Sequence, residues 1–142
     1  MNIRRVTYKD IDPLLNLIYE LGYSPKKGVI IKSIAEYNRS AGYDVFVAED
    51  EGKVVGCISL HVMKLFHMEG NSGRITSIVI SRENRGKGIG KALVNVADQY
   101  FKSMDCVKAE VTSADYRKEA HSFYLSEGFV LDERRFIQKY QG

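Results

Sequence analysis

Apolar residues along the chain switch between a helical and an alternating period, and the switches mark out its elements. Residues 2–6 read as a short strand. Thr7 and Asp10 make a capping pair, and Asp12-Pro13 puts proline in a first turn, where its missing N–H is tolerated. Ile11, Leu14, Leu15, Ile18 and Leu21 recur at helical spacing until Gly22 stops them. A loop over 23–27 leads to a second, weaker helix over about 29–40. After Gly42 the period shortens, and 45–49 and 54–62 form strands around Asp50-Glu51-Gly52-Lys53, a hairpin signal. Residues 63–73 break the alternation and are expected to be an irregular loop carrying Leu65, Phe66 and Met68; 75–80 is a strand. Leu93, Val96, Ala97, Tyr100, Phe101 and Met104 draw one apolar stripe on the clearest helix. A strand over 107–112, a helix over 116–127 ended by Gly128, and short strands over 129–132 and 136–140 complete the chain. The order β-α-α-β-β-β-α-β-α-β-β predicts an α/β (α+β) fold. We expect a single domain over 1–142, with a mixed, largely antiparallel sheet of about seven strands and helices on both faces.

Composition narrows the class. At 142 residues, with 44% hydrophobic and 27% charged, the chain suits one soluble domain with a single core. The net charge of +3 suits an anionic ligand, yet no block of like charge suggests a nucleic-acid arm. Cys57 and Cys106 are far apart and make no disulfide framework, and three dispersed histidines give no metal-ligand spacing, so no metal is expected. Residues 1–6 carry no apolar h-region, and no run approaches about eighteen apolar residues. A cytoplasmic, non-membrane protein is expected.

Candidate chemistry concentrates in Arg85, Gly86, Lys87, Gly88, Ile89, Gly90 and Lys91, between a short apolar strand and a helix. A helix start offers unpaired N–H groups and the positive end of a dipole, and glycines let backbone approach an anion. Arg85, Lys87 and Lys91 add charge, so the segment reads as a diphosphate cradle. Spacing excludes two common ones. A P-loop needs glycine where Arg85 stands and Ser or Thr where Ala92 stands. A dinucleotide fingerprint needs glycine at Lys91 and an early position in the chain.

Arg85, Gly88 and Gly90 fill the pattern [QR]-x-x-G-x-[GA]. About thirty residues on, Ala120, Phe123, Tyr124, Gly128 and Phe129 fill A-x-x-[FL]-Y-x-x-x-G-F. On these two motifs, which span about 75–132, the chain resembles the Gcn5-related N-acetyltransferases (GNAT). The resemblance implies an acetyl-CoA-dependent N-acetyltransferase in which the amine attacks directly in a ternary complex. The glycine loop then holds the coenzyme A diphosphate. The backbone of Ile78, Val79 and Ile80 pairs with the pantetheine arm, where a splay from the next strand opens the cleft. Tyr124 is the general acid for the departing thiolate; a packed core aromatic is the alternative.

The chain departs from that pattern at two places. Arg117 stands where many relatives carry a cofactor-contacting asparagine; it reaches a phosphate or a pantetheine carbonyl, or it is a solvated first-turn charge. Thr76 stands where many relatives carry a glutamate base, and threonine cannot take a proton at neutral pH. Replacement bases are His61, on a strand flanking the cleft, and Glu110, on a strand expected to be central, where a structural salt link is the competing role. Glu49 reads as solvated, and His67 and His121 are weaker candidates.

The resemblance implies a small primary amine as acceptor, such as an amino acid, a polyamine or an aminoglycoside, met by the loop that starts at Tyr23 and by the Thr76 region. The 63–73 loop either covers the cleft or makes a homodimer through Phe66 and Met68. A non-catalytic acyl-CoA sensor and an acetyltransferase of a protein substrate are the alternatives.

Overall fold

The computed structural model describes residues 1–114 and 116–141. Five strands, β1 (Asn2–Arg5), β2 (Tyr43–Asp50), β3 (Lys53–Lys64), β4 (Asn71–Ile80) and β5 (Cys106–Val111), stand in the order β1-β2-β3-β4-β5. Pairing is antiparallel from β1 through β4 and parallel between β4 and β5. The helices are α1 (Ile11–Leu21), α2 (Lys27–Arg39), α3 (Ile89–Ser103) and α4 (Lys118–Ser126). The chain divides into two compact units, Met1–Thr112 and Ser113–Gly142.

In the first unit the two faces of the sheet are set by strand alternation. On one face Val47, Cys57 and Val79 bury against Leu14 and Leu17 of α1 and Ile34 of α2. On the other lies α3, whose buried stripe is Ile89, Leu93, Val94, Ala97 and Phe101. Close approach on this side demands small strand residues. A Cβ at Gly73 would meet the Phe101 ring at 2.4 Å, and one at Gly56 would touch Ile89 and Leu93 at 3.4 Å. That requirement explains one correction. Residues 63–73 were expected to be irregular, but β3 takes 63–64 and β4 takes 71–73, with Lys64 opposite Asn71 and Val62 opposite Gly73. Gly73 carries no strand signal because a packed helix, and not strand propensity, selects it. Only 65–70 remain as the connection, with Phe66 fully exposed.

Buried Asp10 anchors the entry to α1. It accepts from both terminal nitrogens of Arg4 at 2.9 Å and from the Thr7 N–H at 2.8 Å, which completes the capping box. The Arg4 hydrogen bond is the largest influence holding its carboxyl below the usual carboxylate range, against the opposing cost of burial.

A second correction concerns strand number. The sheet has five strands among the described residues, and neither 129–132 nor 136–140 is a strand. Val130, Leu131, Phe136 and Tyr140 are exposed, and a few apolar residues around Asp132-Glu133-Arg134-Arg135 supply no ladder partner. Glu110 therefore lies on an edge strand of the described sheet, where a central one was expected.

In the second unit α4 ends in a Schellman motif. The Gly128 N–H bonds to Leu125 O at 3.2 Å, and the Phe129 N–H reaches back to Tyr124 O at 3.0 Å. Gly128 sits at φ 94°, in the left-handed region. The hydrophobic contact that accompanies such a cap is the Phe129 ring on Tyr124, with centroids 5.8 Å apart. The Tyr124, Gly128 and Phe129 positions of the sequence motif thus have a local physical cause.

Candidate active site

β4 changes character halfway along. Up to Ile75, opposite Val111, it pairs with β5; from 76 to 80 it pairs only with β3 among the described strands. The edge of Ile78, Val79 and Ile80 turned away from β3 therefore has no strand partner among the described residues, as an arm pairing like an added strand requires, although Arg85 reaches the Ile80 carbonyl. The change coincides with a β-bulge. Ser59 lies opposite Ser77 and Leu60 opposite Ile75, leaving Thr76 as the extra residue.

The chain then turns into the glycine loop. The Ser81 N–H bonds to Val55 O at 2.8 Å, and the Arg82 N–H is held by Glu20 of α1 at 3.0 Å. Arg85 donates from Nε to Ile80 O at 3.1 Å, which ties the loop to the end of β4. Gly86 and Gly88 stand at φ 78° and 81°, a conformation that L side chains rarely adopt, and a Cβ at either would enter open space. The backbone is thus uncovered at both glycines. The first helical hydrogen bond of α3 runs from the Ala92 N–H to Gly88 O at 3.1 Å, so the amides of Ile89, Gly90 and Lys91 lack helical partners. The Ile89 side chain is buried against the sheet, which leaves its amide as the group on offer. Lys87 and Lys91 are exposed, with Lys87 Nζ 3.3 Å from Asn84 Oδ1. Donors, dipole and charge all suit a diphosphate.

The sheet face under α1 and α2 turns polar beyond Cys57. Ser59 and His61 follow it on that face of β3, with Ser77 and Arg74 as their partners on β4. Ser59 Oγ lies 2.6 Å from Thr76 Oγ1 and 2.5 Å from Ser77 Oγ. His61 stacks on Tyr43, with centroids 4.2 Å apart. Glu110, half exposed, is paired with Arg74 at 3.4 Å and Lys108 at 3.1 Å, while Arg74 also donates to Thr112 at 2.6 Å. Glu49, expected to be solvated, is held by Arg4 at 2.8 Å. Tyr23 is exposed, and its N–H closes the end of α1 on Ile18 O.

In the second unit, Tyr124 is half-buried between Phe123 and Phe129. Burial pushes its phenol above the ordinary tyrosine range, and the charge of Arg117 opposes the shift. The hydroxyl is therefore loaded with its proton throughout neutral pH. Arg117 occupies the N-cap of α4, with its guanidinium 5.7 Å over the Tyr116 ring. His121 is held 2.8 Å from the Ala114 carbonyl.

The first unit thus gathers the glycine loop, the open edge of β4, Thr76, His61 and Glu110 on adjoining elements. Ser59, Ser77 and Arg74 were missed by sequence reasoning. Their signal was the row Cys57, Ser59, His61 alternating with Ile58, Leu60, Val62, a polar stripe inside an otherwise buried strand.

A family model described as the acetyltransferase (GNAT) family matches residues 9–129. The chain is 30% identical over 139 residues to a glucosamine 6-phosphate N-acetyltransferase of Trypanosoma brucei brucei, covering 95% of this chain and 92% of the relative. It is 29% identical over 141 residues to an aminoalkylphosphonate N-acetyltransferase of Salmonella typhimurium, covering 96% and 89%. Among solved structures, a putative acetyltransferase from Agrobacterium tumefaciens shares the fold, with a TM-score of 0.88 at 24% identity over 98% of this chain and 99% of that one. With the loop, the open strand edge and both motifs in place, the chain belongs to the acetyltransferase (GNAT) family and is an acetyl-CoA-dependent N-acetyltransferase.

Proposed function

We propose that this chain acetylates the primary amine of a small molecule and works as one domain over 1–142 in the cytoplasm. The observation that carries the reading is the loop from Arg85 to Lys91: two left-handed glycines and the free amides of an α3 start, one turn beyond an unpaired strand edge. These residues would hold the coenzyme's diphosphate, and the backbone of Ile78, Val79 and Ile80 its arm; the coenzyme supplies an acetyl group activated as a thioester. The family match runs through both units, which supports the single-domain reading.

Each remaining residue has a stated task. Tyr124, protonated at neutral pH, gives its proton to the leaving sulfur. Arg117 adds a positive charge at the head of the same helix, for a phosphate or a pantetheine carbonyl. The acceptor arrives on the polar face that carries Thr76, beside the α1–α2 connection that begins at Tyr23. With threonine in place of a carboxylate, the acceptor's proton leaves through water. His61 lies two residues from Ser59 on the same face and is the side chain disposed to receive it, whereas Glu110 is occupied by Arg74 and Lys108.

The named relatives act on amines that also carry phosphate or phosphonate, which makes such amines the first acceptors to try. The test is thiol release from acetyl-CoA against glucosamine 6-phosphate, 2-aminoethylphosphonate, a polyamine, an aminoglycoside and an amino acid. Turnover of at least one, with the phosphorus-bearing amines favoured, is expected. Acetyl-CoA binding without turnover of any amine contradicts the small-amine reading. His61→Gln should lower kcat while leaving acetyl-CoA affinity unchanged; an unchanged kcat assigns the proton to solvent.

A further inference from the structure

We propose that Ser59, Thr76 and Ser77 form a proton-free seat for the N–H groups of the incoming amine; the proposal deepens the small-amine reading and rests on it. The case is one of hydrogen-bond direction. A hydroxyl has one proton and two lone pairs. The Ser59 carbonyl, 3.2 Å from Thr76 Oγ1, can only accept, and we assign the Thr76 proton to it. The 2.6 Å contact between Thr76 and Ser59 must then use the proton of Ser59. The 2.5 Å contact between Ser59 and Ser77 must in turn use the proton of Ser77. The chain Ser77 to Ser59 to Thr76 to the Ser59 carbonyl thus engages every hydroxyl proton inside the cluster.

What the cluster shows outward is lone pairs alone. Such a surface accepts from an amine or ammonium and offers nothing to a carboxylate or phosphate oxygen. Its place supports this use, since Thr76 is the exposed extra residue of the bulge and the unpaired edge of β4 begins there. A neutral primary amine that donates both N–H groups to the seat turns its own lone pair away from it, as a nucleophile must. The three hydroxyls are positioning residues: being neutral oxygens, they orient the nitrogen without keeping its proton. The seat also discriminates. An N-methylated amine has one N–H fewer to donate and should lose about tenfold in kcat/KM, the worth of one hydrogen bond.

The test uses the full ¹⁵N-labelled chain and two probes, methylammonium chloride and sodium acetate, at matched ionic strength. Methylammonium should shift the amides of residues 59, 76 and 77 and acetate should not. Ser59→Ala should lose that response while retaining its response to coenzyme A at the α3 start. In kinetics with an acceptor that is turned over, Ser59→Ala and Thr76→Val should raise the acceptor KM about tenfold. Coenzyme A affinity should stay unchanged, and Thr76→Ser should restore the wild-type value. Thr76 is exposed, so its variants carry the test if Ser59→Ala does not fold. Acetate shifting the cluster as strongly as methylammonium, or a methylammonium response surviving Ser59→Ala, overturns the seat and leaves the small-amine reading standing. Methylammonium at the cluster in a chain that acetylates no amine supports the seat and overturns the small-amine reading instead.

Discussion

At the start of α3 the recognising groups are main-chain N–H donors, exposed because Gly86 and Gly88 hold left-handed backbone and a helix cannot satisfy its own first turn. At the bulge of β4 stand three side-chain hydroxyls bonded to one another, whose protons the proposed chain of bonds turns inward. As proposed, one region meets negative charge and the other meets N–H. The contrast teaches that, on this reading, the two substrates are told apart by the direction of hydrogen bonds. It also sets which substitutions each region tolerates: the first fails when backbone shape changes, the second when a hydroxyl is lost.

The strongest way to break the contrast is Gly88→Asp. It forces a Cβ onto φ 81° and puts negative charge where the diphosphate is expected, so acetyl-CoA affinity by calorimetry should fall by about 100-fold or more. Unchanged affinity would remove the anion-binding half of the comparison. Next comes Tyr124→Phe, which should lower kcat by about 100-fold while leaving coenzyme A affinity intact. The working form of this tyrosine is protonated, and burial raises its pKa. The wild-type rate should therefore hold up to at least about pH 10 and decline only above that, a limb that Tyr124→Phe removes.

A control that touches neither region is Asp10→Asn. Losing the carboxylate that Arg4 and Thr7 share should destabilise the fold by about 2 kcal/mol at neutral pH, read from urea melts. Its folded pKa lies below the unfolded value, so this contribution is present above the ordinary carboxylate range and fades as pH falls through it. Wild type and variant should thus converge in acid. The smallest effect belongs to Lys87→Ala, an exposed cation by the loop, which should weaken acetyl-CoA about threefold in low salt and less in high salt.

The two regions also differ in how far the sequence disclosed them. The loop was legible because its proposed role falls to backbone, and backbone constraints leave glycines and a following helical stripe from Leu93 to Phe101 in the chain. The same holds for the end of α4, where Gly128 and Phe129 mark a cap that Tyr124 packs against. Thr76 was legible only as a missing glutamate. Its partners Ser59 and Ser77 were not, because a bulge shifts register by one residue and nothing local announces which residue is extra. The length of the β3–β4 hairpin was hidden for a related reason: Gly73 is chosen by the approach of Phe101, a contact remote in sequence. The expected final strands failed on the opposite side, since apolar residues at 129–140 suggest strands but cannot name a partner.

The most direct test of the central claim is an amide-resolved titration of the ¹⁵N-labelled chain with acetyl-CoA. The account predicts the largest shifts at Gly86, Gly88, Ile89, Gly90 and Lys91, saturating with the calorimetric affinity and absent in Gly88→Asp. Saturable binding that leaves those amides unmoved would contradict it.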